Sequence, residues 1–133
     1  MTPLAGNRVL VVEDEGAIAL LIEEMLEEFG CEVVASVARL AKACEIARAV
    51  QVDLAILDVN LAGERVFPVA EILRGRHIPF LFSTGYGASG LPAEYAGCPV
   101  LHKPFSQSEL QQKMAVTLKQ ARAGGVTSSI DGN

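Results

Sequence analysis

The residue that first points to chemistry is Asp58, a carboxylate that ends the apolar run Leu54–Leu57. Burying an unpaired carboxylate is costly, so a chain that directs an apolar segment into one has to supply a partner. Two more carboxylates, Glu13 and Asp14, follow another apolar run, and Lys103 follows a third. Taken singly, each has a structural alternative, because a carboxylate can cap a turn or stabilise a helix N-terminus, and a lysine can be solvated.

Five short apolar runs, rich in β-branched residues, predict five strands. They read RVLVV from Arg8, CEVVAS from Cys31, DLAIL from Asp53, PFLFS from Pro79 and PVLHK from Pro99. Between them, helical periodicity predicts helices over 18–29 with a stop at Gly30, over 38–50 and near 67–75. A capping box at Ser106–Glu109 opens a last helix, which we expect to run to about Ala123 and to end at Gly124-Gly125. The passage 84–98 has room for at most one short helix.

Strands that alternate with helices indicate an α/β fold with a parallel sheet covered on both faces. Five such units predict a flavodoxin-like (βα)5 three-layer sandwich with strand order 2-1-3-4-5. Ligands of such sheets bind at the carboxyl ends of the strands, beside the point where the strand order reverses. That edge gathers the candidate site residues, which are Glu13, Asp14, Asp58, Thr84 and Lys103.

Three carboxylates at one edge repel one another unless a cation joins them, and Mg²⁺ is the natural cation for oxygen ligands. Lys103 and Thr84 add donors for an anionic group. Carboxylate, Mg²⁺, hydroxyl and ammonium together suit phosphoryl transfer, in which a central carboxylate attacks in line. The residues therefore predict that Asp58 is a phosphoryl acceptor.

Four motifs carry a resemblance to a known family. In chain order they are VLVVEDE, LAILDVN, FSTGYG and LHKPF, and together they resemble a bacterial two-component response-regulator receiver domain from Arg8 to about Ala121. FSTGYG is similar to the signature of the alphaproteobacterial subgroup nicknamed FAT GUY. Its members are often single-domain regulators, and several are linked to general stress signalling.

The resemblance implies a phosphorelay role for Asp58, which would be phosphorylated by a sensor histidine kinase or a histidine phosphotransfer protein. It implies that Asp14 and Asp58 bind Mg²⁺ directly, that Glu13 acts through water, and that the backbone carbonyl of Asn60 is a further ligand.

The resemblance also implies that Thr84 hydrogen-bonds the phosphoryl group and that Lys103 pairs with it. Pro104 is expected to follow Lys103 through a cis peptide bond. Two positions bear on the conformational change that is expected to follow phosphorylation. Most receivers carry an aromatic residue where this chain has Val100, and Tyr86 is the candidate to replace it.

A further departure lies just after the acceptor. Ala62 stands where most receivers have a proline, and Gly63 follows it, so we expect a more mobile loop. We expect three segments in the chain: a lead (1–7), a receiver domain (8–123) and a flexible polar tail (124–133).

The bulk composition excludes several classes of function. A chain of 133 residues suits one domain, and a net charge of −5 disfavours nucleic-acid binding. No apolar run approaches the roughly 18 residues of a membrane helix, so we expect no membrane insertion. The three cysteines show no zinc or CxxC spacing and the N-terminus shows no signal peptide, which indicates reduced thiols and a cytoplasmic location.

Three functions compete at this point. The first is a phosphoaccepting stand-alone receiver that signals by binding an unknown downstream protein or acts as a phosphate sink. The second is a pseudo-receiver, a protein-interaction module that is never phosphorylated, and the intact acidic set speaks against it. The third is a phosphatase-like enzyme with a phospho-aspartate. Such enzymes carry a second Asp two residues after the nucleophile, where this chain has Asn60, so we expect no enzyme beyond self-phosphotransfer and autodephosphorylation.

Overall fold

A five-stranded parallel sheet forms the centre of the molecule. The computed structural model describes residues 4–85 and 91–131, with residues 124–131 described by their backbone alone. The strands in chain order are β1 (Arg8–Val12), β2 (Glu32–Val37), β3 (Leu54–Asp58), β4 (Asn60–Leu61), β5 (Glu64–Arg65), β6 (Phe80–Thr84) and β7 (Val100–His102). The sheet order is β2-β1-β3-β6-β7, which confirms the predicted flavodoxin-like arrangement, since β6 and β7 are the predicted fourth and fifth strands.

Helices cover both faces of this sheet. They are α1 (Gly16–Glu28), α2 (Leu40–Ala49), α3 (Phe67–Gly75) and α4 (Gln107–Asp131), and Ala93–Tyr95 forms one 3₁₀ turn between β6 and β7. Successive side chains of a strand point to opposite faces, so the sheet builds two cores. One core packs the sheet against α2 and α3 and contains Leu57 and Phe82; the other packs it against α1 and α4 and contains Ile56 and Leu81.

The end of α1 follows the glycine prediction. Gly30 has φ +84°, its N–H donates to the Glu27 carbonyl at 3.0 Å, and the Cys31 N–H donates to the Leu26 carbonyl at 2.9 Å. This pair of bonds is a Schellman motif, which satisfies the last carbonyls of the helix and turns the chain toward β2.

The end of α4 does not follow the glycine prediction. The capping box is confirmed, because the Ser106 N–H donates to Glu109 Oε1 at 2.8 Å and the Glu109 N–H donates to Ser106 Oγ at 3.1 Å. The predicted stop at Gly124-Gly125 is wrong, since α4 continues to Asp131. Glycine weakens a helix by about 1 kcal/mol relative to alanine but keeps its N–H donor, so it does not by itself end one. The division into lead, domain and tail stays a prediction, although Leu4 is buried in the core beneath α1.

The short hairpin of β4 and β5 was missed from the sequence, which indicated only a loop. The two strands pair antiparallel across a two-residue turn in which Ala62 has φ +53° and Gly63 has φ +91°. Positive φ at both central residues is typical of a type I′ turn. Two-residue strands carry no readable periodicity, so only the turn residues could have pointed to the hairpin.

In the described part of the chain, no helix combines the length and the apolar character needed to cross a bilayer.

Arg76 links α3 to the end of α2 and supplies a stability prediction. Its Nη1 donates to the carbonyls of Ala47 and Val50, each at 2.7 Å. We expect Arg76→Ala to lower the free energy of unfolding by roughly 1–3 kcal/mol, because two carbonyls lose a charged donor. Urea denaturation measures this. Arg122→Ala, on the exposed side of α4, is the control and should change stability by less than about 0.5 kcal/mol. Equal stability of the two variants would contradict this role for Arg76.

Candidate functional site

The alternation of side chains along the strands places the acidic residues at the carboxyl edge of the sheet. Glu13 follows Val9 and Val11 at a spacing of two, and Asp58 follows Ile56 in the same way. Both carboxylates therefore lie on the face that packs against α1 and α4, at the point where that core meets solvent. Glu13 is 2% exposed and Asp58 is 5% exposed, so both are held largely out of water.

The three carboxylates come together as predicted. One ligand oxygen from each of Glu13, Asp14 and Asp58 lies within 4.8 Å of the others, with Asp14 the most exposed of the three. A set of oxygen donors at this spacing, with more negative charge than its single lysine neutralises, suits a hard divalent cation such as Mg²⁺. The residues present therefore fit the predicted metal.

Lys103 bridges two of these carboxylates. Its Nζ lies 2.8 Å from Glu13 Oε1 and 3.2 Å from Asp58 Oδ2. Its backbone N–H donates to the Thr84 carbonyl at 2.9 Å, and its peptide bond to Pro104 is cis, as predicted. The ion pair lies between the ends of β1, β3 and β7, so one ammonium group ties three strands together at the site.

The charge of Lys103 does not balance the charges of the three carboxylates. Burial, followed by the contacts with Glu13 and Asp14, raises the pKa of Asp58 to about 7, while Lys103 acts in the opposite direction. Burial alone would lower the pKa of Lys103, but the neighbouring carboxylates outweigh it and the pKa is raised. Lys103 therefore stays charged, and at neutral pH Asp58 lies near the midpoint between its acid and its carboxylate.

Asp14 behaves differently from Asp58. Its partial burial acts to raise its pKa, but the contact with Asp58 and the hydrogen bond from the Ala62 N–H, at 3.0 Å, prevail and lower it. The pKa values of the two carboxyls therefore move in opposite directions, and Asp14 stays ionised at a pH at which Asp58 takes up a proton.

Asn60 and Thr84 complete the predicted set. The Asn60 N–H donates to Asp58 Oδ1 at 3.3 Å, and its side-chain Oδ1 accepts the Gly63 N–H at 2.9 Å. Thr84 ends β6 and is buried at the same edge. The structure therefore places both residues at the site, and the chemical roles given to them from the sequence stay predictions.

Ser83 was missed by the sequence reasoning. It is the register partner of Asp58 on β6, it is fully buried, and its Oγ has no hydrogen-bond partner among the described residues. The signal was present in the sequence, because Ser83 follows the core residue Leu81 at a spacing of two.

Of the three residues predicted to take part in the conformational switch or to face a partner, the structure describes two. Tyr86 lies outside the described residues. Val100 is half-buried opposite Phe82, and Pro104 is exposed. An aromatic residue that the sequence did not single out, Tyr95, is buried edge-on to Phe82, with ring centroids 5.6 Å apart.

Tyr95 connects β6 to the surface of the 3₁₀ turn. Its ring stacks on Phe67 at 5.5 Å, and the Arg74 guanidinium lies 4.4 Å from its centroid. Tyr95, Phe67 and Phe82 therefore form an aromatic cluster on the face of β6 that packs against α2 and α3, although position 100 is a valine.

Comparison with solved structures supports the same architecture. The solution structure of SdrG from Sphingomonas melonis Fr1 matches with a TM-score of 0.77 and 38% identity, over 85% of this chain and 97% of SdrG. The receiver domain of the sensor histidine kinase PA1611 from Pseudomonas aeruginosa PAO1 matches with a TM-score of 0.74 and 28% identity, over 86% of this chain and 99% of that domain. The crystal structure of that domain holds a magnesium ion coordinated in its active-site cleft.

Sequence comparison agrees with the structural comparison. The family model described as the response regulator receiver domain matches residues 9–115. The transcriptional regulatory protein PdtaR of Mycobacterium tuberculosis is 33% identical over 120 residues, which are 87% of this chain and 58% of PdtaR. The chain spans 50% to 58% of the length of the curated relatives that it matches.

The charge imbalance generates a prediction for the metal-free protein. The folded pKa of Asp58, about 7, exceeds the ordinary value of 3.8, so the folded state binds this proton more tightly than the unfolded state. Stability should therefore fall as pH rises from about 4 to about 7. At pH 8 without Mg²⁺ we expect Asp58→Asn to raise the free energy of unfolding by roughly 1–4 kcal/mol.

Urea denaturation across this pH range, in EDTA, measures the effect. Glu24→Gln is the control, because it neutralises an exposed carboxylate on α1, and it should change stability by less than about 0.5 kcal/mol. A loss of stability in Asp58→Asn at pH 8 would show that burial and the neighbouring carboxylates do not destabilise the ionised form of Asp58 as described.

Proposed function

The chain belongs to the response regulator receiver domain family, and from this premise we propose that it accepts a phosphoryl group on Asp58 from a sensor histidine kinase or a histidine phosphotransfer protein. The observation that carries the proposal is the bridging position of Lys103, whose Nζ contacts Glu13 and Asp58 at the carboxyl edge of the sheet. A lysine held between two buried carboxylates supplies a fixed positive charge beside the nucleophile.

The reaction is an in-line displacement. A carboxylate oxygen of Asp58 attacks the phosphorus of a phosphohistidine, the new O–P bond forms as the P–N bond breaks, and the imidazole leaves with the bonding electrons. Magnesium, when bound, would be held by Asp14, Asp58 and the Asn60 carbonyl, and through water by Glu13, and would neutralise charge on the phosphoryl oxygens.

The residues of the chain then hold the product. Lys103 exchanges its contact with Asp58 Oδ2 for the new phosphoryl oxygens, and Thr84 donates its hydroxyl to them. The hydrogen bond from the Lys103 N–H to the Thr84 carbonyl couples these two positions through the backbone. Phosphorylation therefore acts on β6 and β7 together.

We infer that the phosphorylated chain signals by binding another protein, or that it acts as a phosphate sink by removing phosphoryl groups from the kinase. Phosphorylation shifts the population of conformers at the β6–β7 connection, which includes the 3₁₀ turn at Ala93–Tyr95. A downstream protein that reads this surface, in the cytoplasm, is the proposed partner. In this proposal the chain catalyses phosphoryl transfer only onto its own Asp58.

Intact-protein mass spectrometry after incubation with acetyl phosphate and Mg²⁺ tests the proposal. We expect a gain of one phosphoryl group that is lost in EDTA and in Asp58→Ala, because both remove a part of the transfer site. Asp53→Asn, which changes an exposed carboxylate just before β3, should be phosphorylated like the wild type.

Two results would contradict phosphoacceptor function. One is a folded wild type that binds Mg²⁺ and gains no mass, and the other is equal labelling of Asp58→Ala. The chain would then be a pseudo-receiver whose partner binding does not depend on phosphate.

A further inference from the structure

One residue of the turn between β4 and β5, Ala62, has a backbone conformation that its residue type does not favour. Ala62 occupies the left-handed region with φ +53°, where non-glycine residues other than Asn, Asp and His are uncommon. Gly63 follows with φ +91°. Residues retained in such conformations cluster at functional sites, so the contacts of this turn need an explanation.

The contacts of the turn lead to the acidic cluster. The Ala62 N–H donates to Asp14 Oδ2 at 3.0 Å, across a separation of 48 residues. The Gly63 N–H donates to Asn60 Oδ1 at 2.9 Å, so the Asn60 side chain closes the turn from inside. The Val66 N–H donates to the Val59 carbonyl at 3.0 Å and closes the base of the hairpin.

We propose that the β4–β5 turn is a positioning element for the metal site. The Ala62 N–H holds Asp14 Oδ2 in a fixed position beside Asp58 and Glu13, and Asn60 and Gly63 hold Ala62 in the conformation that makes this bond. The inference rests on the proposed function, because it concerns the same Mg²⁺ site. It assigns the Asn60 side chain to the turn, whereas its backbone carbonyl is the group proposed as a metal ligand.

The physical reason is preorganisation. Asp14 is the most exposed of the three carboxylates and belongs to no strand, so without the turn its side chain would sample several rotamers. Fixing one carboxylate before the cation arrives removes an ordering cost from binding.

The chain offers a matched pair of glycines for the test. Gly63 and Gly6 have φ values of +91° and +86°, and a Cβ built at either meets no described heavy atom within 4 Å. Alanine at each position therefore strains the backbone without a steric clash. Gly6 precedes β1, and its N–H donates to the Gly30 carbonyl at the opposite end of the sheet from the site.

We expect Gly63→Ala to weaken Mg²⁺ binding roughly 3- to 10-fold and Gly6→Ala to leave it unchanged, although both lower thermal stability. Isothermal titration calorimetry with MgCl₂, at a temperature where all variants are folded, measures the affinity. Asn60→Ala, which keeps the backbone carbonyl but removes the acceptor for Gly63, should weaken binding in the same way and serves if Gly63→Ala does not fold.

A readout without metal accompanies the titration. Amide hydrogen exchange by NMR should show a protected Ala62 N–H in the wild type and in Gly6→Ala. Protection should be lost in Gly63→Ala and in Asp14→Ala, which removes the acceptor oxygen.

The outcomes separate the two proposals. If the wild type binds Mg²⁺ and Gly63→Ala and Asn60→Ala bind it as tightly, the positioning role is overturned and the phosphoacceptor proposal stands. If the wild type does not bind Mg²⁺, both the metal site and its positioning element are overturned. Weaker binding in Gly63→Ala alone of the glycine pair, with loss of Ala62 protection, supports the inference.

Discussion

The structure at the carboxyl edge of the sheet depends on one buried ion pair, in which Lys103 contacts Glu13 and Asp58. A parallel sheet collects the ends of its strands at one edge, and here three of those ends carry charge. Burying two carboxylates without a cation is costly, and the two contacts of Lys103 offset part of that cost. One ammonium against three carboxylates leaves the site deficient in positive charge, and a divalent cation would supply the missing charge.

The surrounding elements serve this edge in different ways. The two cores hold β1, β3 and β6 in register, so that side chains spaced by two reach the same point. The hairpin after β3 brings a backbone N–H to Asp14, and the backbone bond from Lys103 to the Thr84 carbonyl couples β7 to β6. The aromatic residues behind β6, centred on Tyr95, pack the face opposite the acidic cluster. Lys103 therefore connects Asp58 directly to the ends of β7 and β6.

Most of the architecture could be predicted from the sequence because it rests on local patterns. Strand runs, helical periodicity, the Gly30 stop and the Ser106 capping box each have a short-range signal, and the order of the sheet follows from their alternation. The parts that escaped prediction depend on contacts distant in sequence or on weak local signals. The hairpin at Ala62 is held partly by Asp14, which is distant in sequence. Ser83 was not singled out because the adjacent Thr84 was taken as the hydroxyl residue of the site. Helix α4 continues through two glycines, which a local rule treats as a helix end.

We predict that burial, reinforced by the neighbouring carboxylates, holds a proton on Asp58 and that a divalent cation displaces this proton. Calorimetric titration with MgCl₂ in two buffers of different ionisation enthalpy counts the protons released on binding. Because the pKa of Asp58 is raised to about 7, we predict release of close to one proton at about pH 6 and little at about pH 8.5. Asp58→Asn should release none at either pH. Absence of proton release from the wild type at the lower pH, or equal release from Asp58→Asn, would contradict the account.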